Sequence, residues 1–279
     1  MTRDAADDEP DITLDDVTEV SPLMVEEILD EDESGPTQAL SVAAVGFSEQ
    51  GRRRKSNEDC LLVVPDGQLF AVADGIGDRA GGELASEMAI DVLRRALLKG
   101  PIEGQADVMR PRRADELVRA FEMANRAIYR RGQHDEDFRG MGTTLTALCT
   151  SAQRGRVYLA HVGDSRCYRL RGGQLARLTH DHTRGEMFGV GPLSSQLTRA
   201  IGIEPTVEID LVVGEAAAGD LYLLCTDGLT NSVDENTIAA VASMADGLTQ
   251  RACHLVERAN QASGKDNISV VLIAVQPQS

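Results

Sequence analysis

Short apolar runs recur along the chain, each ending near a glycine or a carboxylate, and they arrive in groups instead of alternating with helices. "LSVAAVGFSEQG" and "QLFAVADG" read as buried strands. Two amphipathic segments follow: from Gly82 to Lys99, Ala85, Ala89, Val92 and Ala96 repeat at helical spacing, and Leu117, Ala120, Phe121, Ala124, Ala127 and Ile128 do so more cleanly. "TTLTALCTSAQ" and "RVYLAHVGDSRCYRLR" then flank Arg154-Gly155, and Gly172-Gly173 turns the chain into "QLARLT" as a hairpin. "EIDLVV" and "DLYLLCTD" extend this antiparallel meander. A second helix pair, Ile238 to Met244 and Leu248 to Ala259, precedes the strand "NISVVLIAV". Helices in pairs and strands in runs predict an α+β fold with segregated layers.

Composition narrows the functions open to such a fold. The chain has 279 residues, 42% of them hydrophobic, enough for a sizeable core. It has no Trp and only 3% aromatics, so stacking on exposed rings is not a main binding mode, which argues against single-stranded nucleic acid as a ligand. The net charge of -17 belongs mostly to the N-terminus. Residues 1–34 carry fourteen Asp or Glu against one Arg, or -13, leaving -4 for the remainder. Residues 1–37 are expected to form an acidic, disordered tail, with one domain over 38–279. Five cysteines, an odd number set mostly in apolar runs, read as reduced core residues. Neither a leader peptide nor a run of about 18 apolar residues is evident, which predicts a soluble, cytoplasmic protein without a membrane partner.

Four aspartates share one context: Asp59 before "CLLVV", Asp74 after "LFAVA", Asp227 after "LYLLC" and Asp266 before "NISVVLIAV". A single Asp at a strand end is a turn or cap residue. Four of them, if the strand ends converge, would repel one another severely, and divalent cations with oxygen ligands relieve that repulsion. Directly upstream of Asp59, "GRRRKSNED" places four cations ahead of two adjacent carboxylates, so an anion site beside a metal site is one reading and a solvated strand end the other.

The ordered set "RKSNED", "VADGIGDRAGGE", "GMGTTLTAL", "HVGDSR", "THDHT", "CTDGL" and "GKDNISVV", spanning about residues 41 to 275, resembles the metal-dependent protein serine/threonine phosphatases of the PP2C (PPM) family, especially the bacterial branch. The resemblance implies a four-layer α-β-β-α sandwich, two antiparallel sheets flanked by helix pairs, with two Mn2+ or Mg2+ ions in a cleft at one end. Motif by motif, Asp74 would bridge the ions and Gly75 would offer its carbonyl to the second. Asp227 and Asp266 would bind the first, while Glu58 and Asp59 would hold metal-bound waters. Arg54 would clamp the substrate phosphate. Phosphoserine and phosphothreonine would be hydrolysed by direct attack of a metal-bridging hydroxide, without a phospho-enzyme. Ile76 stands where some eukaryotic members carry His, so no general acid is assigned. Asp137 matches the position that holds a third, weaker metal in some bacterial members; a solvated charge is the plainer reading.

Other motif residues read as structural. His161 is expected to be a satisfied core histidine, and Asp164, Ser165 and Arg166 to knit the loop beneath the site. Strand alternation would point His180 and His182 the same way, with Asp181 opposite. Gly142, Thr143 and Thr144 open a strand. Two departures from the family pattern stand out: Asp78 after Gly77, and a short flap from Arg184 to Gln196 expected to lack a helix. The implied partners are phosphorylated Ser/Thr proteins, substrates of a cognate kinase. A non-catalytic regulator of the same fold is the alternative; an acidic metal buffer and nucleic-acid binding through "RRRK" are weaker ones.

Overall fold

The computed structural model describes residues 25–26, 40–77, 79–99, 102, 107, 109–151, 155–189, 191 and 193–278. Asp78 and nearly all of the acidic segment 1–37 lie outside the described residues.

The elements run as follows. Strand β1 is Val25–Glu26, β2 Leu40–Glu49, β3 Asp59–Val64 and β4 Leu69–Ile76. Helices α1 (Arg79–Leu98) and α2 (Arg112–His134) follow, then a 3-10 turn at Glu136–Phe138. Strands β5 (Gly142–Thr143), β6 (Leu145–Ser151), β7 (Arg156–Val162), β8 (Arg166–Arg171) and β9 (Gln174–Arg177) lead to helix α3 (Arg184–Phe188). Strands β10 (Asp210–Glu215) and β11 (Leu221–Cys225), helices α4 (Asp227–Thr230), α5 (Glu235–Ala242) and α6 (Leu248–Ala262), and strand β12 (Ile268–Pro277) complete the chain.

Two sheets stack. One has the order β1-β10-β7-β6-β4-β3 with β5 on β4, the other β2-β12-β11-β8-β9. Pairing is antiparallel apart from β1, where Val25 lies opposite Leu211 in parallel register. Both sheets are covered on both faces, so their central strands are apolar throughout, yet period two still decides where each side chain goes. On β4, Leu69, Ala71 and Ala73 join the core beneath α1 and α2, whereas Phe70 and Val72 face the other sheet. On β12, Ile268, Val270 and Leu272 pack under α5 and α6, while Val271, Ile273 and Val275 meet Phe70 and Val72 between the sheets. These three apolar layers make the expected α-β-β-α sandwich.

Details differ from the sequence expectations. "RVYLAHVGDSRCYRLR" is two strands in different sheets, because the chain crosses over at Gly163, which holds φ 113° against the Thr144 side chain. "EIDLVV" and "DLYLLCTD" likewise fall in opposite sheets. The core stripe of α1 ends in Leu93 and Leu97, with Val92 and Ala96 only partly buried, since i, i+4 steps tilt the contact line around the helix.

The flap contains a helix after all, α3. The sequence carried its signal: Thr183 caps the first turn, its hydroxyl accepting the Glu186 amide at 3.3 Å, a Ser/Thr-x-x-Glu start. No helix among the described residues is long and apolar enough to cross a membrane.

Candidate active site

Antiparallel pairing gathers the strand-end carboxylates at one end of the sandwich. Asp59, the first residue of β3, lies directly opposite Asp74 on β4. In the second sheet, β11 ends where β12 begins, which sets Asp227 and Asp266 side by side at the same end. Contact across the sheets joins the two pairs: Asp59 Oδ2 accepts hydrogen bonds from Thr226 Oγ1 (2.8 Å) and Ser269 Oγ (2.7 Å).

Close backbone packing fixes this arrangement. A Cβ on Gly75 would collide with the Gly82 carbonyl, and one on Gly228 with the Asn267 carbonyl, which accounts for the glycine after each of Asp74 and Asp227. Asn267 ties three segments together: its Oδ1 accepts the Glu58 amide at 2.9 Å, and its Nδ2 donates to the Gln50 and Ser56 carbonyls at 2.9 and 2.8 Å. Thr144 supports Asp74 from below. Its hydroxyl accepts the Asp74 amide at 2.9 Å and lies 2.7 Å from Ser165 Oγ, and its own amide donates to the Asp74 carbonyl.

The electrostatics are those of anions crowded out of water. Burial is the largest cause in each case. It raises the Asp74 carboxyl well above its ordinary range, with Asp59, Asp227 and Asp164 adding to it. It pushes Asp59 up to about 7 against the hydrogen bonds of Ser269 and Thr226, and Asp227 up to about 6 with Asp266 contributing. Asp164 is also pushed to about 7, by burial and then by Asp227, so the crowding of charge reaches this loop. Its neighbours do the knitting: Ser165 meets Thr144, and Arg166 grips Asp181 at 2.6 Å.

The donor set fits a divalent cation. Asp59 Oδ1 and Asp227 Oδ1 are buried and have no hydrogen-bond partner, a cost that a cation would remove. All available side-chain donors are hard carboxylate oxygens, the type that Mg2+ and Mn2+ take. Among the described residues no three acidic, His or Cys side chains are gathered closely enough to ligate one ion alone. Ions here would complete their shells with water and with a backbone carbonyl such as that of Gly75. Asp266 is one reason, since Arg54 Nη2 sits 2.7 and 2.8 Å from its two oxygens. Glu58, nearly fully buried, accepts Ser56 Oγ at 3.1 Å and gives its carbonyl to the Gly75 amide.

Asp137 stands apart. It is exposed on the 3-10 turn, where its amide donates to Asp135, and it is not among the charges acting most strongly on Asp59, Asp74 or Asp227. The two imidazoles of "HDH" also part company: His180 is exposed and His182 buried, because β9 ends at Arg177 and strand alternation does not extend through them. His182 accepts the Gly163 amide at its Nδ1 (3.0 Å) and reaches Asp210 through Nε2 (3.0 Å). His161 is a satisfied core residue, as expected. Sequence reading missed Thr226, Ser269 and Asn267; each adjoins a motif aspartate or lies within three residues of one, but neutral polar side chains carry no signature of their own.

The chain is similar to proteins of known activity. A family model described as protein phosphatase 2C matches residues 49–268. The serine/threonine phosphatase stp of Listeria welshimeri is 34% identical over 240 residues, 81% of this chain and 93% of the relative. Serine/threonine protein phosphatase PstP of Mycobacterium tuberculosis is 36% identical over 242 residues, 82% of this chain and 44% of that protein. Among solved structures, the catalytic domain of PstP in complex with two manganese ions superposes with a TM-score of 0.74 at 34% identity, covering 85% of this chain and 99% of that one. PppA of Pseudomonas aeruginosa gives 0.76 at 28% identity, covering 86% and 100%.

Proposed function

The chain belongs to the protein phosphatase 2C family, and we infer that it is a metal-dependent serine/threonine protein phosphatase that takes two Mn2+ or Mg2+ ions. One observation of its own carries the reading: carboxylates from both sheets meet at one end of the sandwich, two of them with buried oxygens lacking any partner, beside an arginine.

In this reading Asp74, Asp227, Asp266 and the Gly75 carbonyl hold the ions, and Glu58 and Asp59 orient water bound to them. The ions supply a nucleophile at neutral pH and positive charge for the phosphoryl oxygens. The protein's own residues do the rest. Asp59 is held through one oxygen by Thr226 and Ser269, which leaves its other oxygen, buried and without a partner, for water bound to the ions. Thr144, itself held by Ser165, fixes the backbone from which the Asp74 carboxylate projects. Arg54 binds the substrate phosphate through a planar fork, for which it must leave Asp266. Exposed Asp137 would serve as ligand to a third, weaker ion only from the rim.

Substrates would be phosphoproteins made by a cognate serine/threonine kinase, in the cytoplasm, with neither nucleic acid nor membrane as partner. The domain would span 38–279 behind the acidic segment 1–37. Assay of the purified chain on phosphothreonine and phosphoserine peptides with Mn2+, Mg2+ or EDTA tests the activity. Metal-dependent release of phosphate is expected. Tight phosphopeptide binding without turnover would instead indicate a non-catalytic regulator.

A further inference from the structure

A cavity of about 270 Å³ opens behind the turn that carries Arg54. Glu49, Gly51, Arg52, Glu257, Asn260 and Gln261 line it, so it lies between the end of β2, the turn after it and the last two turns of α6. The turn is pinned from both sides. Arg52 donates its amide to the Gly264 carbonyl at 2.8 Å, and Gly51, at φ 76°, packs so closely on the Asp266 carbonyl that a Cβ would collide with it. Since Asp266 also carries Arg54, the cavity and the phosphate site are two faces of one short piece of backbone. Arg52 and Arg54 are at most about 7 Å apart along the chain.

The lining has more anionic than cationic groups. Asn260 Nδ2 donates to Glu49 at 2.6 Å, and Asn260 Oδ1 is buried against Gly264, behind the lining. Among the described residues the Glu257 side chain has neither an ion pair nor a hydrogen bond, and Arg52 pairs with neither carboxylate. Two glutamates against one arginine give the lining a net negative charge. Such a lining suits a monovalent cation with several N–H groups, which is the chemistry of a lysine or arginine side chain.

We propose that this cavity is a specificity subsite of the phosphatase, taking a basic side chain of the substrate that lies within a few residues of the phosphorylated serine or threonine. The proposal rests on the phosphatase reading and adds a substrate class to it: phosphoproteins with a Lys or Arg near the phosphoresidue. An extended peptide advances about 3.3 Å per residue, so a segment with its phosphate at Arg54 carries a flanking side chain past the 51–54 turn within two or three positions.

The test uses the full chain with Mn2+ and a set of phosphothreonine peptides in which a single Lys is walked across the flanking residues of an otherwise Ala-based sequence. Lys within one narrow window should lower KM about fivefold relative to the all-Ala parent, with kcat unchanged, as one partly exposed ion pair would. In Glu257→Gln the KM ratio between the two peptides should collapse toward one, and in Glu257→Arg it should invert. Glu257 is exposed on α6, so these variants test charge and leave the core intact. A Lys effect that is the same at every position, or that survives in Glu257→Gln, overturns the subsite. Hydrolysis of p-nitrophenyl phosphate and of the parent peptide without any preference for Lys overturns it too, while the phosphatase reading stands. No turnover of any of these by the wild-type chain removes both.

Discussion

Arg54 and Asp266 are 212 residues apart in sequence and share one ion pair, Nη2 lying 2.7 Å from Oδ1 and 2.8 Å from Oδ2 of the carboxylate. Each has a different proposed role, one on phosphate and one on metal, so the two roles compete for the same contact. Removing the guanidinium frees Asp266 for a cation and strips the phosphate of its clamp. Arg54→Ala is therefore expected to raise KM for a phosphopeptide at least about tenfold, a charged hydrogen bond being worth about 1.5–3 kcal/mol, while Mn2+ affinity holds or tightens. Arg54→Lys should recover only part of the loss, lacking the planar fork. Calorimetric Mn2+ titration beside peptide kinetics checks both; weakened metal binding in the Ala variant would refute the competition.

The crowding of Asp59, Asp74, Asp164, Asp227 and Asp266 makes the site a source of instability when no cation is bound. Asp227→Asn removes one negative charge and one proposed cation ligand together. Turnover is expected to fall at least about a hundredfold, as EDTA would abolish it in the wild type. In EDTA the same variant should melt about 3 °C higher than wild type, through relief of like-charge repulsion. With Mn2+ present the order should reverse, because binding to the folded state stabilises only the chain that keeps its ligands. Thermal scans with and without metal decide it, and a lower midpoint for the variant in EDTA would sink the electrostatic account.

Much of this site was legible because its charged parts stand at the ends of apolar strands, where residue type and periodicity both carry information. Asp59, Asp74, Asp227 and Asp266 all signal in this way, and strand pairing sets them at one end of the sandwich. What holds them was not legible. Thr226, Ser269, Asn267 and Thr144 act through single hydroxyl or amide contacts across segments remote in sequence, and such residues look alike in any loop. Sheet membership was hidden for a related reason. At Gly163 a single glycine carries the chain from one sheet to the other, and in sequence it reads only as an irregularity within a strand. The α3 helix, by contrast, carries its signal in Thr183 and Glu186, a capping pair that outweighs the glycines around it.

Gly75 permits a sharper structural test. Its backbone is wedged between the Gly82 and Glu58 carbonyls, the latter 2.8 Å from where a Cβ would sit. Gly75→Ala must push β4 away from the start of α1 and shift the carbonyl proposed as a metal ligand. A loss of about 2 kcal/mol in stability by chemical denaturation is expected, with Mn2+ affinity reduced further than stability alone explains. A variant with unchanged Mn2+ affinity would remove the carbonyl from the ligand set.

His161 sets a pH limit that does not depend on the metal site. Its Nε2 lies 2.9 Å from the His180 carbonyl, which has no proton to give, so Nε2 carries the ring hydrogen, while Nδ1 lies 2.8 Å from the Thr146 hydroxyl, whose one proton is shared with the Ser165 carbonyl at 3.1 Å. Burial first, and then neighbouring His182, push its pKa down to about 3. The unfolded chain takes up this proton near the ordinary value of about 6.5, whereas the folded chain refuses it until much lower pH. The stability contribution is thus whole above about pH 6.5 and erodes as pH falls toward 3, at up to about 1.4 kcal/mol per pH unit. His161→Gln keeps a donor and an acceptor but has no proton to gain. Between about pH 6.5 and 5 the wild type should lose about 2 kcal/mol more stability than the variant, with carboxylate effects common to both cancelling. Denaturation curves for the pair across that range test the slope. Nitrogen NMR of the wild-type ring tests the cause, with a neutral Nε2–H tautomer expected to persist to about pH 5. Parallel stability curves, or a ring that protonates near pH 6.5 in the folded protein, would show that His161 is not the limiting group.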